Sequence, residues 1–262
     1  MSYSDLYQVQ GLRRETIQIL ARMGIITISQ LASLTPDDLR KIKGIKTSAE
    51  AIHASACAWN NQHPVWLNRL PEICHAGGWM FDIETDPRTG VMWCLGWGNE
   101  CGDVEVALAA PQVSKRRRLR LADGSIINLV PDDEAIWRVF AEAVSCDDRP
   151  IYHWTGFDTG VMRKTAPEEV NDALQPRSHD LHATYKRCVR FPVSNASLKT
   201  VAAYLDFSWG VYQAWDAAFN DYNMWLSRDD VIALTRACTY QRDDVRAMQV
   251  VWSWMVQNSS HE

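Results

Sequence analysis

The chain has 262 residues, of which 47% are hydrophobic and 23% charged, and this is typical of a globular protein with one or two domains. Its 27 lysines and arginines against 32 aspartates and glutamates give a net charge of −5, which excludes a chain that is basic throughout, so any nucleic-acid-binding surface must be a local patch. The seven cysteines form no C-x-x-C pair, and neither a secretion signal nor a run of about 18 apolar residues occurs, so we expect reduced thiols, no membrane span and a cytoplasmic location.

Residues 1–60 are predicted to form a small domain of short helices. The stretch GLRRETIQILARMG has apolar residues near helical spacing and ends on Gly24. In TPDDLRKIKG, Thr35 caps a helix and Pro36 takes its first position. A further helix is predicted for TSAEAIHASACAWNNQ. Residues 61–75 contain two prolines and are predicted to be a linker.

Two stretches of this first domain place a glycine between apolar residues directly ahead of a helix. They are VQGLRRET at 9–16 and IKGIKTSAEA at 42–51, and both are flanked by basic residues. This pattern resembles the helix-hairpin-helix DNA-binding module, in which the glycine lets the backbone approach a phosphate. The alternative is a small helical domain with a solvated basic face. The candidate nucleic-acid contacts are Gly11, Arg13, Lys43, Gly44 and Lys46.

From residue 76 onward the pattern changes to strands and then to helices. GWMFDIET, VMWCLGWGN and VEVALAAP are predicted strands joined by short turns, and RPIYHW is a fourth. The basic run KRRRLR, followed by an Asp-Gly turn, is either a solvated loop or a phosphate contact. The segment DDEAIWRVFAEAVS, the segment that begins with GFDTGVMRKTA, and most of the chain from 197 to 256 are predicted helices. This order predicts an α/β sheet covered by helices.

Carboxylates recur at three places in this second part. Asp82 and Glu84 share one face of the first strand, because side chains alternate along a strand. Asp158 follows the strand IYHW. Tyr240 and Asp244, four residues apart, share a helix face, although Asp243 is also near that face. A divalent cation would offset the repulsion between such acids, whereas solvated strand and helix acids are the plain alternative.

These motifs, taken in order, resemble the three exonuclease motifs of the DEDDy branch of RNase H-like 3′→5′ exonucleases. The segment SHDLHATYKRCVRFPVSNASLKTVAAYLDFSW, at 178–209, is similar to the region between the second and third motifs in predicted RNase H-like nuclease domains associated with RecB-like nucleases. In those relatives a hairpin-rich helical segment comes first, as it does here. The resemblance implies a mixed sheet flanked by helices over residues 76–262, preceded by an all-α helix-hairpin-helix domain.

The resemblance also implies the site and the reaction. Asp82, Glu84, Asp158 and Asp244 would bind two Mg²⁺ or Mn²⁺ ions, and Tyr240 would help to place the attacking water. Gln241 stands where relatives often have asparagine, and we discount it because it is not a ligand position. The expected activity is 3′→5′ hydrolysis of single-stranded DNA, with Lys199 as a further phosphate contact.

Two other functions remain open. One is an RNA 3′ exonuclease, and the other is a scaffold that binds nucleic acid without cutting it. DNA is the favoured partner because of the hairpin pattern. The RecB-like module that is usual in longer relatives is missing from this sequence, so a separate RecB-like nuclease, or another repair or defence protein, is a candidate partner.

Overall fold

The computed structural model describes residues 4–212 and 214–259, which fall into two compact units. The helical unit contains the residues up to Leu70 together with His182–Asp206. The sheet unit contains Pro71–Leu181 and the residues from Phe207 onward. Each unit is described separately below.

The α-helices of the described residues are α1 (Arg14–Arg22), α2 (Ile28–Ala32), α3 (Pro36–Arg40), α4 (Ala49–Asn61), α5 (Asp133–Val144), α6 (Gly156–Thr165), α7 (Glu168–Leu174), α8 (Leu181–Cys188), α9 (Leu198–Tyr204), α10 (Trp215–Arg228) and α11 (Val231–Asn258). The strands are β1 (Val65–Trp66), β2 (Trp79–Thr85), β3 (Met92–Asn99), β4 (Glu105–Ala109), β5 (Arg117–Arg120), β6 (Ile126–Val130), β7 (Ile151–His153), β8 (Ser178–Asp180) and β9 (Val189–Arg190). None of the described helices is long and apolar enough to cross a bilayer.

The helical unit is built from short helices around one apolar core. Thr27 and Thr35 cap α2 and α3 through their side-chain oxygens, and the cap at Thr35 is the one that the sequence predicts. The core is formed by Leu6, Val9, Ile17, Leu20, Leu31, Leu39, Ile42, Ile45, Ala49, Ile52 and Ala56. Both predicted glycine turns adopt left-handed backbone, with φ of 89° at Gly11 and 91° at Gly44. Only glycine adopts this conformation without steric cost.

The sheet unit contains a mixed sheet whose strand order, among the described residues, is β5-β6-β4-β3-β2-β7-β8. β2, β3 and β4 form an antiparallel meander, whereas β7 and β8 continue from β2 in parallel. On the other side, β6 runs parallel to β4 and β5 returns antiparallel to β6. The predicted α/β sheet flanked by helices is therefore confirmed.

The two faces of this sheet are covered by different helices. Phe81 and Ile83 of β2 enter an apolar cluster that also contains Trp137 and Phe140 of α5 and Met162 of α6. The opposite face lies against α11, which packs on β2, β3 and β4. Because side chains alternate along β2, Asp82 and Glu84 point to the α11 face.

The structure refines several boundaries that the sequence predicted. The predicted linker, 61–75, contains β1, which pairs with β9, so the chain returns at 182–206 to the helical unit. The predicted domains, 1–60 and 76–262, differ from the two units because residues 182–206 belong to the helical unit. Residues 1–3 and 260–262, at the outer ends of the predicted domains, lie outside the described part. The last long helix begins only at Val231, because Asp229 is left-handed and the Asp230 side chain caps α11.

Candidate active site

Three carboxylates meet where α11 crosses β2. Asp82 and Glu84 come from the strand and Asp244 from the helix, and each offers an oxygen within 4.8 Å of the others. Asp82 and Glu84 are half-buried, and Asp244 is buried. The alternation of β2 brings the first two to one face, and the register of α11 adds the third. The first and third sequence motifs are thus joined into one cluster of oxygen donors.

The electrostatics of the cluster favour a bound cation. Burial raises the pKa of Asp82 well above its ordinary value, and the charges of Asp244, Asp158 and Glu84 raise it further. Grouping carboxylates away from water is costly without positive charge between them. An all-oxygen donor set suits hard divalent ions such as Mg²⁺ and Mn²⁺. The residues present therefore fit the metal that the sequence predicts.

Asp158 lies beside this cluster rather than among its three closest oxygens. It sits in the first turn of α6, directly after β7, and is buried. Burial raises its pKa to about 7, while backbone hydrogen bonds that involve Thr155 and Ile83 oppose this shift. The hydrogen bond that involves the Ile83 main chain places the Asp158 carboxylate against β2. Ile83 is the residue between Asp82 and Glu84. The charge of Asp158 in turn raises the pKa of Asp82.

Tyr240 precedes Asp244 by one helical turn and is buried, 3% exposed. Burial raises the pKa of its phenol far above the ordinary value, and the charges of Asp244, Glu84 and Asp82 and a hydrogen bond with Asp244 add to the shift. The hydroxyl therefore stays protonated and can donate a hydrogen bond to the acids, Asp244 among them.

Asp244, and not Asp243, faces the cluster. Asp244 Oδ1 accepts a hydrogen bond of 2.8 Å from Trp209 Nε1. Asp243 is turned away, because its Oδ2 accepts from the main-chain N–H of Gly210 at 2.8 Å and its Oδ1 lies 3.3 Å from Arg246 Nη1. The helical register that the sequence left in doubt is thereby resolved.

Gln241 has a direct role at the site that the sequence analysis missed. Its Nε2 donates to both the main-chain O and the Oδ2 of Asp82, each at 2.9 Å. The residue is fully buried. The sequence contained one signal for Gln241. It lies between Tyr240 and Asp244 on the helix that covers the acids, and a buried amide on that helix needs a polar partner. Trp209 was missed as well, since tryptophans are scattered along the chain.

Gly96 of β3 provides the space that Gln241 occupies. A Cβ at this position would lie 2.9 Å from Gln241 Cγ and 3.3 Å from its main-chain O. We expect Gly96→Ala to push α11 away from the sheet and to lower the free energy of unfolding by about 1–3 kcal/mol. The matched control is Gly160→Ala in α6, where a Cβ meets nothing within 4 Å. Urea titrations in which the two variants unfold alike would contradict this close packing.

The predicted phosphate contacts belong to the helical unit. Gly11, Arg13, Lys43, Gly44 and Lys46 are all exposed, and Lys199 is half-buried on α9. Their role as phosphate contacts stays a prediction. Among the histidines near the second motif, His153 is buried against the Phe81 ring, and burial lowers the pKa of both His153 and His179.

Comparison with known proteins agrees with this geometry. A search of curated proteins finds no match. A family model described as the RNase_H superfamily matches residues 79–256, which is more than half of the chain and includes Asp82, Glu84, Asp158 and Asp244. Domains of this superfamily are commonly metal-dependent nucleases. The chain therefore belongs to the RNase_H superfamily.

Proposed function

We propose that the protein is a metal-dependent 3′→5′ exonuclease of the DEDDy type that hydrolyses phosphodiester bonds of single-stranded DNA. The observation that carries this proposal is the grouping of Asp82, Glu84 and Asp244 within 4.8 Å, beside the protonated hydroxyl of Tyr240. In the reaction, water attacks the phosphorus, the bond to the 3′ oxygen of the preceding nucleotide breaks, and a nucleoside 5′-monophosphate leaves.

The chain supplies ligands and positioning groups for this reaction. Asp82, Glu84, Asp158 and Asp244 would hold two Mg²⁺ or Mn²⁺ ions, which supply the positive charge that acidifies the attacking water and stabilises the leaving oxygen. Gln241 holds Asp82 through two hydrogen bonds, which keeps the carboxylate on the α11 face. Tyr240 offers a hydrogen bond that orients the water.

Binding of nucleic acid is supported by the helical unit, and the resemblance of its turns to helix-hairpin-helix modules favours DNA. Its two glycine turns, at Gly11 and Gly44, have positive φ and lie ahead of helices with exposed basic residues nearby. This is the arrangement in which main-chain N–H groups hold a phosphate. We further propose that this unit binds the DNA and that a separate RecB-like nuclease, or another repair or defence protein, is a partner.

The two alternatives differ in what they require of the site. A scaffold that binds nucleic acid without cutting it has no need of buried, mutually repelling carboxylates, whose grouping lowers the stability of the fold without a cation. This observation favours an enzyme. An RNA 3′ exonuclease needs the same acid cluster, so the choice between DNA and RNA is made by experiment.

The test is digestion of 5′-labelled single-stranded DNA and RNA oligonucleotides with Mg²⁺, with Mn²⁺ and with EDTA. We expect a ladder that shortens from the 3′ end of the DNA, stops in EDTA and is absent with Asp82→Asn protein. A substrate with a blocked 3′ end should survive, which separates exonuclease from endonuclease. Faster digestion of RNA would reverse the assigned preference, and tight binding without cleavage of either polymer would favour the scaffold.

A further inference from the structure

The strongest concentration of positive charge in the sheet unit lies at the outer edge of its sheet. Lys115, Arg116, Arg117, Arg118 and Arg120 fall on or just before β5, and all five are exposed. β5 is the terminal strand of the sheet. The chain as a whole is acidic, at −5. A basic edge in an acidic protein is a feature that the acid cluster and the fold do not by themselves explain.

The strand register connects this edge to the acid cluster. Glu84 pairs with Cys94, Cys94 with Leu108, Leu108 with Leu129, and Leu129 with Arg117. Residues that are paired in this way point to the same face, so Arg117 shares the α11 face with the acids. Four strand spacings of about 4.8 Å separate Arg117 from Glu84 by roughly 19 Å.

The start of β5 also lies at the same end of the sheet as the acids. β4 and β6 run in the direction of β2, and β5 runs against it. Arg117, at the beginning of β5, therefore lies level with the end of β2, where Glu84 is found. The face between them is covered by α11, so a bound strand would pass along this end of the sheet. At about 3.4 Å per nucleotide, a strand of about six or more nucleotides spans the distance.

The cations of this edge fall into two groups. Arg116 is engaged on the α5 face, because its Nε donates to Asn128 Oδ1 at 3.0 Å and its Nη1 lies 2.9 Å from Glu142. Arg118 pairs with Asn128 in the register and shares that face. The Arg117 side chain makes no hydrogen bond or ion pair within the described residues, and it faces the side of the acids.

The hairpin is anchored to the helix that completes the acid cluster. In the β5–β6 turn, the main-chain N–H of Ala122 donates to Thr235 Oγ1 at 3.1 Å. Asp123 lies 3.5 Å from Arg242 Nη1, and the Arg242 side chain is buried. Because α11 carries Thr235, Arg242 and Asp244, the basic edge is held by the same helix as the catalytic carboxylate.

We propose that the start of β5, through Arg117 and with Lys115 beside it, binds the phosphate backbone of the nucleic acid strand whose 3′ end is held at the acid cluster. The inference rests on the proposed function for the position of that end. Exposed cations also protect an edge strand from pairing with other chains. Protection of the edge strand works with positive charge on either face of the sheet. Binding of the phosphate backbone needs the positive charge on the face of the acids.

The experiment compares Arg117→Ser with Arg118→Ser, which make the same change on neighbouring residues with opposite faces. Binding of a labelled single strand of about 20 nucleotides is measured in EDTA over a range of salt concentrations. For Arg117→Ser we expect about fivefold weaker binding and a salt slope smaller by about 0.7, which is the loss of one phosphate contact. Arg118→Ser should bind within about twofold of the wild type.

A short substrate separates this inference from the proposed function. A nitrophenyl ester of a nucleoside monophosphate can occupy the acid cluster but is too short to reach β5. With Mn²⁺ present, Arg117→Ser should cleave it at the wild-type rate while digesting long strands more slowly. If the wild type cleaves neither substrate, the proposed function fails, and the binding comparison still stands by itself. Equal binding losses in Arg117→Ser, Arg118→Ser and Arg228→Ser, the last of these on α10 and not on β5, would overturn the proposal. Aggregation of both edge variants with unchanged binding would overturn it as well.

Discussion

Asp244→Asn should lower the rate of phosphodiester cleavage about a thousandfold, whereas Asp243→Asn should retain most of the activity. Asp244 is one of the three carboxylates grouped within 4.8 Å, and asparagine removes a negative ligand without a change in size. The neighbouring Asp243 points to Gly210 and Arg246 instead. The measurement is the single-turnover rate on a labelled oligonucleotide at saturating Mn²⁺.

The neighbouring variant is the control for folding. Asparagine at 243 keeps an oxygen for the Gly210 N–H and loses only the contact with Arg246, so the free energy of unfolding should fall by about 1 kcal/mol or less. Circular dichroism would show whether both variants fold. A large loss of activity in Asp243→Asn, with Asp244→Asn active, would mean that the register of α11 assigned here is wrong.

Asp82→Asn should make the metal-free protein more stable while it removes the activity. Burial and the charges of neighbouring carboxylates raise the pKa of Asp82 in the folded state. Burial likewise raises that of Asp158 to about 7. A carboxylate whose pKa is higher in the folded than in the unfolded chain favours folding when protonated, so stability falls as pH rises from about 4 to about 7. Asparagine cannot ionise, and its oxygen still accepts from Gln241.

The measurement is urea unfolding in EDTA at about pH 5 and about pH 7.5, on either side of most of this transition. We expect the variant to exceed the wild type by about 1–3 kcal/mol at the higher pH and by less at the lower one. Addition of Mn²⁺ should stabilise the wild type more than the variant, because the ion binds the native acids. A wild type that is the more stable protein in EDTA at both pH values would show that the cluster is not under repulsion.

Much of the sheet unit could be predicted from the sequence because its signals are local. The strands at 79–85, 92–99 and 105–109 were expected from runs of apolar residues bounded by turns, and the helix at 133–144 from the spacing of its apolar residues. Asp82 and Glu84 could be placed on one face because alternation along a strand depends on two neighbouring residues alone.

The parts that were not predicted depend on residues distant in the sequence. β1 and β9 are two-residue strands that pair only because the chain returns to the helical unit. The basic run at 115–120 reads as a loop or a hairpin until its pairing with β6 is known. Gln241 was discounted because it is not a ligand position. Its contact could not be foreseen, because its partner, Asp82, lies 159 residues away and no local pattern reports such a contact.

The long separation between the two halves of the site has a consequence for the newly synthesised protein. Asp82 leaves the ribosome 159 residues before Gln241, which at about 5–20 residues per second is roughly 8–30 s of translation. During that interval the chain has the strand acids but no α11 to complete their arrangement. On the proposed function, the nascent protein therefore cannot yet cleave nucleic acid. Activity begins only after α11 has docked on the sheet, so the order of synthesis delays it until this helix has been made.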